Sequence, residues 1–196
     1  MNTSLPSQHL VCKMVLLKRF NPNDSVKPFD CGDTDLNGFL LEDNPSVPNA
    51  KHHANELLAV TYLIEDEERM QTIAYFSLLN DKIEREITDN SVWNRLSREI
   101  PNIKRRKSQP AVKIGRLAVS SASQGQGWGP RIISFLKQWF TEKNKTGCRY
   151  ITVDALAEKV GFYEKYGFKV LVTPQEGDET VLMYYDLKKF VVSKAK

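Results

Sequence analysis

The chain has 196 residues, 41% of them hydrophobic and 27% charged, with a net charge of +4. That suffices for one sizeable globular domain, and no apolar run is long enough for a membrane-spanning helix. Three widely spaced cysteines, Cys12, Cys31 and Cys148, are odd in number, which argues for reduced thiols in a cytoplasmic protein and against a disulfide framework. No metal site is expected, because the side chains of the adjacent His52 and His53 diverge.

In chain order, Val11 to Leu17 reads as a first strand, since the apolar stretch is too short and too broken by Lys13 for a signal peptide. Asp33 is a candidate N-cap for a short helix with Leu36, Phe39 and Leu40 on one face. Asp43 to Asn55 reads as a loop. Leu57 to Ile64 and Thr72 to Leu79 form a hairpin turned at Glu65 to Glu68. Val92, Leu96 and Ile100 recur every four residues, with Trp93 alongside, and predict a helix ended by Pro101. A basic loop follows, then a central strand from Ala111 to Ser120. Beyond it lies an amphipathic helix carrying Ile132, Ile133, Phe135, Leu136, Trp139 and Phe140. Arg149 to Asp154 alternates as a strand, and Ala157 to Tyr166 is a short helix stopped at Gly167. Lys169 to Thr173 and Val181 to Leu187 are the closing strands. The order β-α-β-β-α-β-α-β-α-β-β, with no linker or repeat, predicts one α/β (α+β) domain over residues 1–196. Its central sheet is mixed, mostly antiparallel, and flanked by helices.

The segment Gln124-Gly125-Gln126-Gly127-Trp128-Gly129-Pro130 joins the central strand to the long helix. Glycines before a helix start let backbone approach a ligand, and the helix's unpaired N–H groups and positive dipole end suit a diphosphate. Pro130 suits a first helical position. A dinucleotide fingerprint would need glycine where Pro130 stands, and a P-loop would need lysine well before Lys137. The remaining pattern is Gln-x-x-Gly-x-Gly. A second motif follows, Val160-Gly161-Phe162-Tyr163-Glu164-Lys165-Tyr166-Gly167-Phe168.

Together these motifs resemble the GCN5-related N-acetyltransferases (GNAT), whose acetyl-CoA motif is written Arg/Gln-x-x-Gly-x-Gly/Ala. The resemblance extends from Phe29 onward. It implies acetyl-CoA as cofactor, with a site formed by Leu117, Ala118, Val119, Gln124, Gly125, Gln126, Gly127, Trp128, Gly129 and Pro130. Within that set, a backbone N–H of Leu117, Ala118 or Val119 would polarise the thioester carbonyl. The N–H groups of residues 125–130 would hold the diphosphate. Tyr163 takes the family's general-acid position. No carboxylate is marked as a base, although Asp154, Glu158 and Glu164 lie on nearby elements.

Eight basic residues between Arg95 and Arg116 face one acid, Glu99, giving this span +7. Such a run is either solvated surface or a docking patch for a polyanion such as RNA. Phe29-Asp30-Cys31-Gly32, Leu36-Asn37 and Gly115-Arg116-Leu117-Ala118-Val119 sharpen the resemblance toward the acetyltransferase toxins of type II toxin–antitoxin systems. That implies an aminoacyl-tRNA α-amine as acceptor, docked by Lys104, Arg105, Arg106, Lys107 and Arg116. It further implies a small DNA-binding antitoxin as partner, with a homodimer as a further assembly. Trp128, in place of the usual small aliphatic residue, departs from the pattern. The alternatives are a small-molecule or peptide amine as acceptor, or an acyl-CoA-binding regulatory domain without catalysis.

Overall fold

The computed structural model describes residues 15–44, 46–98, 100, 107–142 and 147–194. Seven strands form one sheet: β1 (Val15–Arg19), β2 (Val60–Asp66), β3 (Gln71–Glu84), β4 (Ser108–Val119), β5 (Tyr150–Leu156), β6 (Lys169–Val170) and β7 (Thr180–Asp186). Their order is β1-β2-β3-β4-β5-β7-β6. Among the described strands only β4 and β5 pair in parallel. Among the described residues six helices cover the sheet: α1 (Thr34–Leu41), α2 (Ala50–Asn55), α3 (Asn90–Arg98), α4 (Trp128–Glu142), α5 (Val160–Lys165) and α6 (Leu187–Lys194).

Side-chain parity along β3 assigns the faces. Tyr75 and Ile83 pack with α1–α3, through Phe39, Leu40, Trp93 and Leu96. Ala74, Phe76 and Leu78 pack with α4 and α5, through Ile132, Ile133, Leu136 and Tyr163. The sheet is therefore apolar on both sides, as a central layer must be.

Asp33 is the N-cap of α1, its carboxylate accepting the Leu36 N–H at 2.9 Å. Three expectations need correction. Residues 50–55 are helical, because Asn49 caps them by accepting the His52 N–H at 2.8 Å and Ala50 is buried. The composition of Asp43 to Asn55 hid a helix too short to show periodicity. The chain also ends its described part in a helix, α6, whose Leu187 and Phe190 pack on the α4 side. Finally, α4 starts at Trp128, so Pro130 is its third residue and not its first.

Boundaries shift for physical reasons. The β2–β3 turn falls two residues later than expected, because Asp66 accepts the N–H groups of Glu68 and Arg69 at 3.0 and 2.9 Å. β3 runs on to Glu84 through a mostly polar stretch, held by its partner β4 and by Ile83, which is buried against α3. Residues 11–14 of the first expected strand, and Pro101, lie outside the described residues.

α5 ends as expected at Gly167, in a Schellman motif. The Phe168 N–H donates to Tyr163 O at 3.0 Å and the Gly167 N–H to Glu164 O at 2.8 Å. Gly167 has φ +82°, and a Cβ there would lie 3.1 Å from the Tyr185 ring. Gly167→Ala should therefore cost about 1–2 kcal/mol of stability. Gly161→Ala, inside the same helix with no atom near its Cβ, should be neutral or stabilising. Chemical denaturation of the two variants checks the contrast.

Candidate active site

The site begins with one extra residue in β4. Arg116 pairs with Ser77 and Ile114 with Leu78, so Gly115 bulges out of the β3–β4 ladder. A Cβ on Gly115 would sit 2.7 Å from Leu79 Cδ2 and 3.1 Å from Ser77 Oγ. The bulge inverts the alternation. Val112 and Ile114 face α4, and beyond the bulge so do Leu117 and Val119, while Ala118 faces α1.

β4 and β5 also part here. Their pairing covers only Ala111–Ile114 against Tyr150–Val153. Beyond it β4 stays with β3 and β5 with β7, and a cleft of about 690 Å³ opens between them. Backbone direction follows from alternation. The Ser120 N–H donates to Ile73 O at 2.8 Å, so Ser120 faces β3 and, two residues back, so does Ala118. The N–H groups of Leu117 and Val119 then point the other way, into the gap. Of the three donors expected on this strand, geometry favours those two over Ala118.

At the end of β4, a short 3-10 turn at Ser121–Ser123 leads into the glycine loop. Gly125 and Gly127 have φ of +73° and +80°, and no atom lies within 4 Å of a Cβ built on either. Glycine is thus required for backbone shape, and the space beside it is open. The first intrahelical bond of α4 is from Arg131 N–H to Gly127 O at 3.2 Å. That leaves the N–H groups of Trp128 and Gly129 without intrahelical acceptors. Pro130 has no N–H, so it lines the cleft without donating. Two glutamines serve the loop itself. Gln124 donates through Nε2 to Cys31 O and Val119 O, both at 3.0 Å, and Gln126 donates to Ala122 O at 2.9 Å.

The opposite wall comes from α5. Tyr163 is 8% exposed, edge-on to Phe162 and Phe168 with ring centroids 5.1 and 5.3 Å away, and it borders the cleft. Burial pushes its hydroxyl up to about 12. Gly129 lets Phe162 close onto the start of α4, since a Cβ there would lie 3.1 Å from the ring. A third segment, missed as a site element, is the turn before α1. Cys31, Gly32, Asp33 and Leu36 all border the cleft. The Phe29-Asp30-Cys31-Gly32 motif is its signal in the sequence. Asp30 accepts the N–H of Gly32 at 2.9 Å and the Asn37 amide at 2.7 Å, and Ser121 N–H donates to Asp30 O at 2.8 Å.

The described basic residues do not form one patch. Arg116 lies over the Phe39 ring at 4.0 Å and 3.7 Å from Asp35, on the α1 face. Arg95 donates to the Tyr184 hydroxyl at 2.8 Å, and Lys113 pairs with Asp154. Lys107 is exposed just before β4, roughly 35 Å along the strand from the glycine loop. Lys104, Arg105 and Arg106 lie outside the described residues.

Residues 67–189 match the family model described as an acetyltransferase (GNAT) domain. The chain belongs to the GNAT family. It is an acyltransferase that takes its acetyl group from acetyl-CoA. Among solved structures, a tyrosine-to-phenylalanine mutant of KacT is similar at a TM-score of 0.70 and 24% identity, over 91% of this chain and 98% of that one. AtaT complexed with acetyl-methionyl-tRNAfMet is similar at 0.67 and 22%, over 92% and 99%. AtaTR bound with acetyl-CoA is similar at 0.66 and 22%, over 92% and 98%. These likenesses confirm the expected GNAT fold. No curated protein matches the chain.

Gly127→Glu would put a side chain and a negative charge into the open cradle. It should weaken acetyl-CoA binding at least tenfold, about 1.4 kcal/mol, by calorimetry on the folded variant. Unchanged affinity would move the diphosphate elsewhere.

Proposed function

We propose that this acetyltransferase modifies the α-amine of an aminoacyl-tRNA in the cytoplasm, as a toxin held by a small DNA-binding antitoxin. The observation that carries the acceptor is that no carboxylate among the described residues of the cleft is committed as a base. Of the carboxylates bordering it, Asp33 is spent on capping α1 and Glu158 is exposed to solvent. A lysine amine, with a pKa of about 10.4, is almost wholly charged at neutral pH. An α-amine, at about 7.7–8.0, is roughly one-tenth neutral without help. The AtaT complex with acetyl-methionyl-tRNAfMet, of the same fold, supports the same acceptor class. The KacTA–DNA complex, also of this fold, supports the antitoxin.

Acetyl-CoA supplies the acetyl group as an activated thioester. The N–H groups of Gly127, Trp128 and Gly129, at the positive end of α4, are the donors suited to its diphosphate. The N–H of Leu117 or Val119 faces the gap and would stabilise developing oxyanion charge there. Tyr163 keeps its proton at neutral pH, so it can donate to a departing thiolate, the family's general-acid role. Its burial keeps water from competing for that bond.

Tyr163→Phe should lower turnover by about 10²–10⁴-fold while acetyl-CoA affinity survives. Because burial pushes this hydroxyl up to about 12, the wild-type rate should show no tyrosine limb below about pH 10, above the ordinary tyrosine value. Equal turnover in the variant would return the residue to a packing role.

Replacing Lys104, Arg105, Arg106 and Lys107 with Ala should raise the KM for charged tRNA. It should also flatten the salt dependence, by a log–log slope of about 0.7–0.9 for each phosphate left without its cation. Induced wild-type enzyme should arrest growth. No arrest, together with no label passing from acetyl-CoA to charged tRNA, would favour a small-molecule or peptide amine instead.

A further inference from the structure

Lys137 lies midway along α4 and is only 7% exposed. A buried lysine normally has a carboxylate partner. Here the ammonium meets a carbonyl and aromatic rings. Nζ donates to Tyr166 O at 2.5 Å, sits 3.8 Å from the centroid of the Tyr185 ring, and is 5.9 Å from that of Phe168. Burial pulls its pKa down to about 8. An apolar chain of similar length would fill the space without that desolvation cost. Packing alone therefore does not require a lysine.

Its carbonyl partner has a specific place. Tyr166 is the C-cap of α5, and carbonyls at a helix C-terminus attract cations. The same turn returns Phe168 N–H to the carbonyl of Tyr163. The Phe168 ring then packs on both Tyr163 and Tyr185, with centroids 5.3 and 5.5 Å apart. A continuous line of contacts thus runs from the Lys137 ammonium, through the α5 cap and Phe168, to the ring at the cleft wall.

We propose that Lys137 is a positioning residue for Tyr163, fixing the C-terminal turn of α5 from α4 so that the tyrosine hydroxyl stays at the cleft. The inference rests on the role given to Tyr163 in acetyl transfer. It also joins the two ends of the site, since the helix that carries Lys137 begins at the glycine loop.

The test is Lys137→Met in the full chain, with acetyl-CoA and bulk charged tRNA as substrates. The kcat should fall about tenfold, acetyl-CoA affinity should stay within about twofold, and the thermal midpoint should hold or rise. Amide exchange should accelerate at Gly167 and Phe168 more than elsewhere. In a Tyr163→Phe background Lys137→Met should cause no further loss, because it acts through that hydroxyl. Lys137→Arg, which keeps donor and charge, should retain most of the rate. Unchanged kcat in Lys137→Met, the same loss in the Tyr163→Phe background, or exchange rising evenly along the chain would each overturn the proposal. If Tyr163→Phe is itself silent, the reading of Tyr163 fails first. If Tyr163→Phe is slow and Lys137→Met is not, only the positioning role fails. If charged tRNA is not turned over, exchange at Gly167 and Phe168 decides.

Discussion

Everything in the site depends on a hydrogen-bond ladder that stops early. Four residues of β4 pair with β5, and then the strands part. Backbone N–H groups left unpaired inside a protein are costly, so a sheet rarely abandons them without a use. Here the abandoned donors of Leu117 and Val119 line a cleft, where a polar ligand can pair them. The Gly115 bulge belongs to the same event. It adds local twist just where β4 leaves its neighbour, and it turns Leu117 and Val119 toward α4.

The rest of the fold brings three remote segments to that gap. The glycine loop follows β4 directly, and α5 follows β5, so both walls are products of connectivity. The turn before α1 needs a latch, and Gln124 supplies it by binding Cys31 O and Val119 O with one amide nitrogen. Asp30 completes the join by accepting from Asn37 through its side chain and from Ser121 through its carbonyl. Loop and turn are therefore one hydrogen-bonded unit. The first glutamine of the motif acts here through its side chain on protein carbonyls.

The sequence revealed what rests on local chemistry. The N-cap at Asp33, the left-handed stop at Gly167 and the strand–loop–helix around Gly125 and Gly127 each need particular residue types at fixed spacing. It hid what depends on partners. The helix at Ala50–Asn55 is a short run of ordinary propensity, made by its cap and by burial of Ala50. The extension of β3 to Glu84 is mostly polar, and it is held by β4 alongside and by Ile83 buried against α3. Arg116 read as a docking cation, and the sequence spacing gave no sign of its contacts with Phe39 and Asp35, both remote in sequence. Lys137 showed only as one polar residue of an amphipathic helix, because its carbonyl partner lies on another element.

Charge is divided between two places, and the division bears on the acceptor. The cleft has a protonated tyrosine, a helix N-terminus and two lysines, Lys159 and Lys165, on its border. All of these suit a phosphorylated thioester donor. Lys107, the described member of the Lys104–Lys107 run, is elsewhere, exposed just before β4 and about 35 Å along it from the glycine loop. A small amine would touch only the cleft and gain nothing from a cation that far away. A polyanion long enough to reach both would gain a salt-sensitive hold at one end while offering its amine at the other. That separation lets docking strength be set by surface charge without disturbing the cleft, where a polar acceptor amine must be presented nearly neutral.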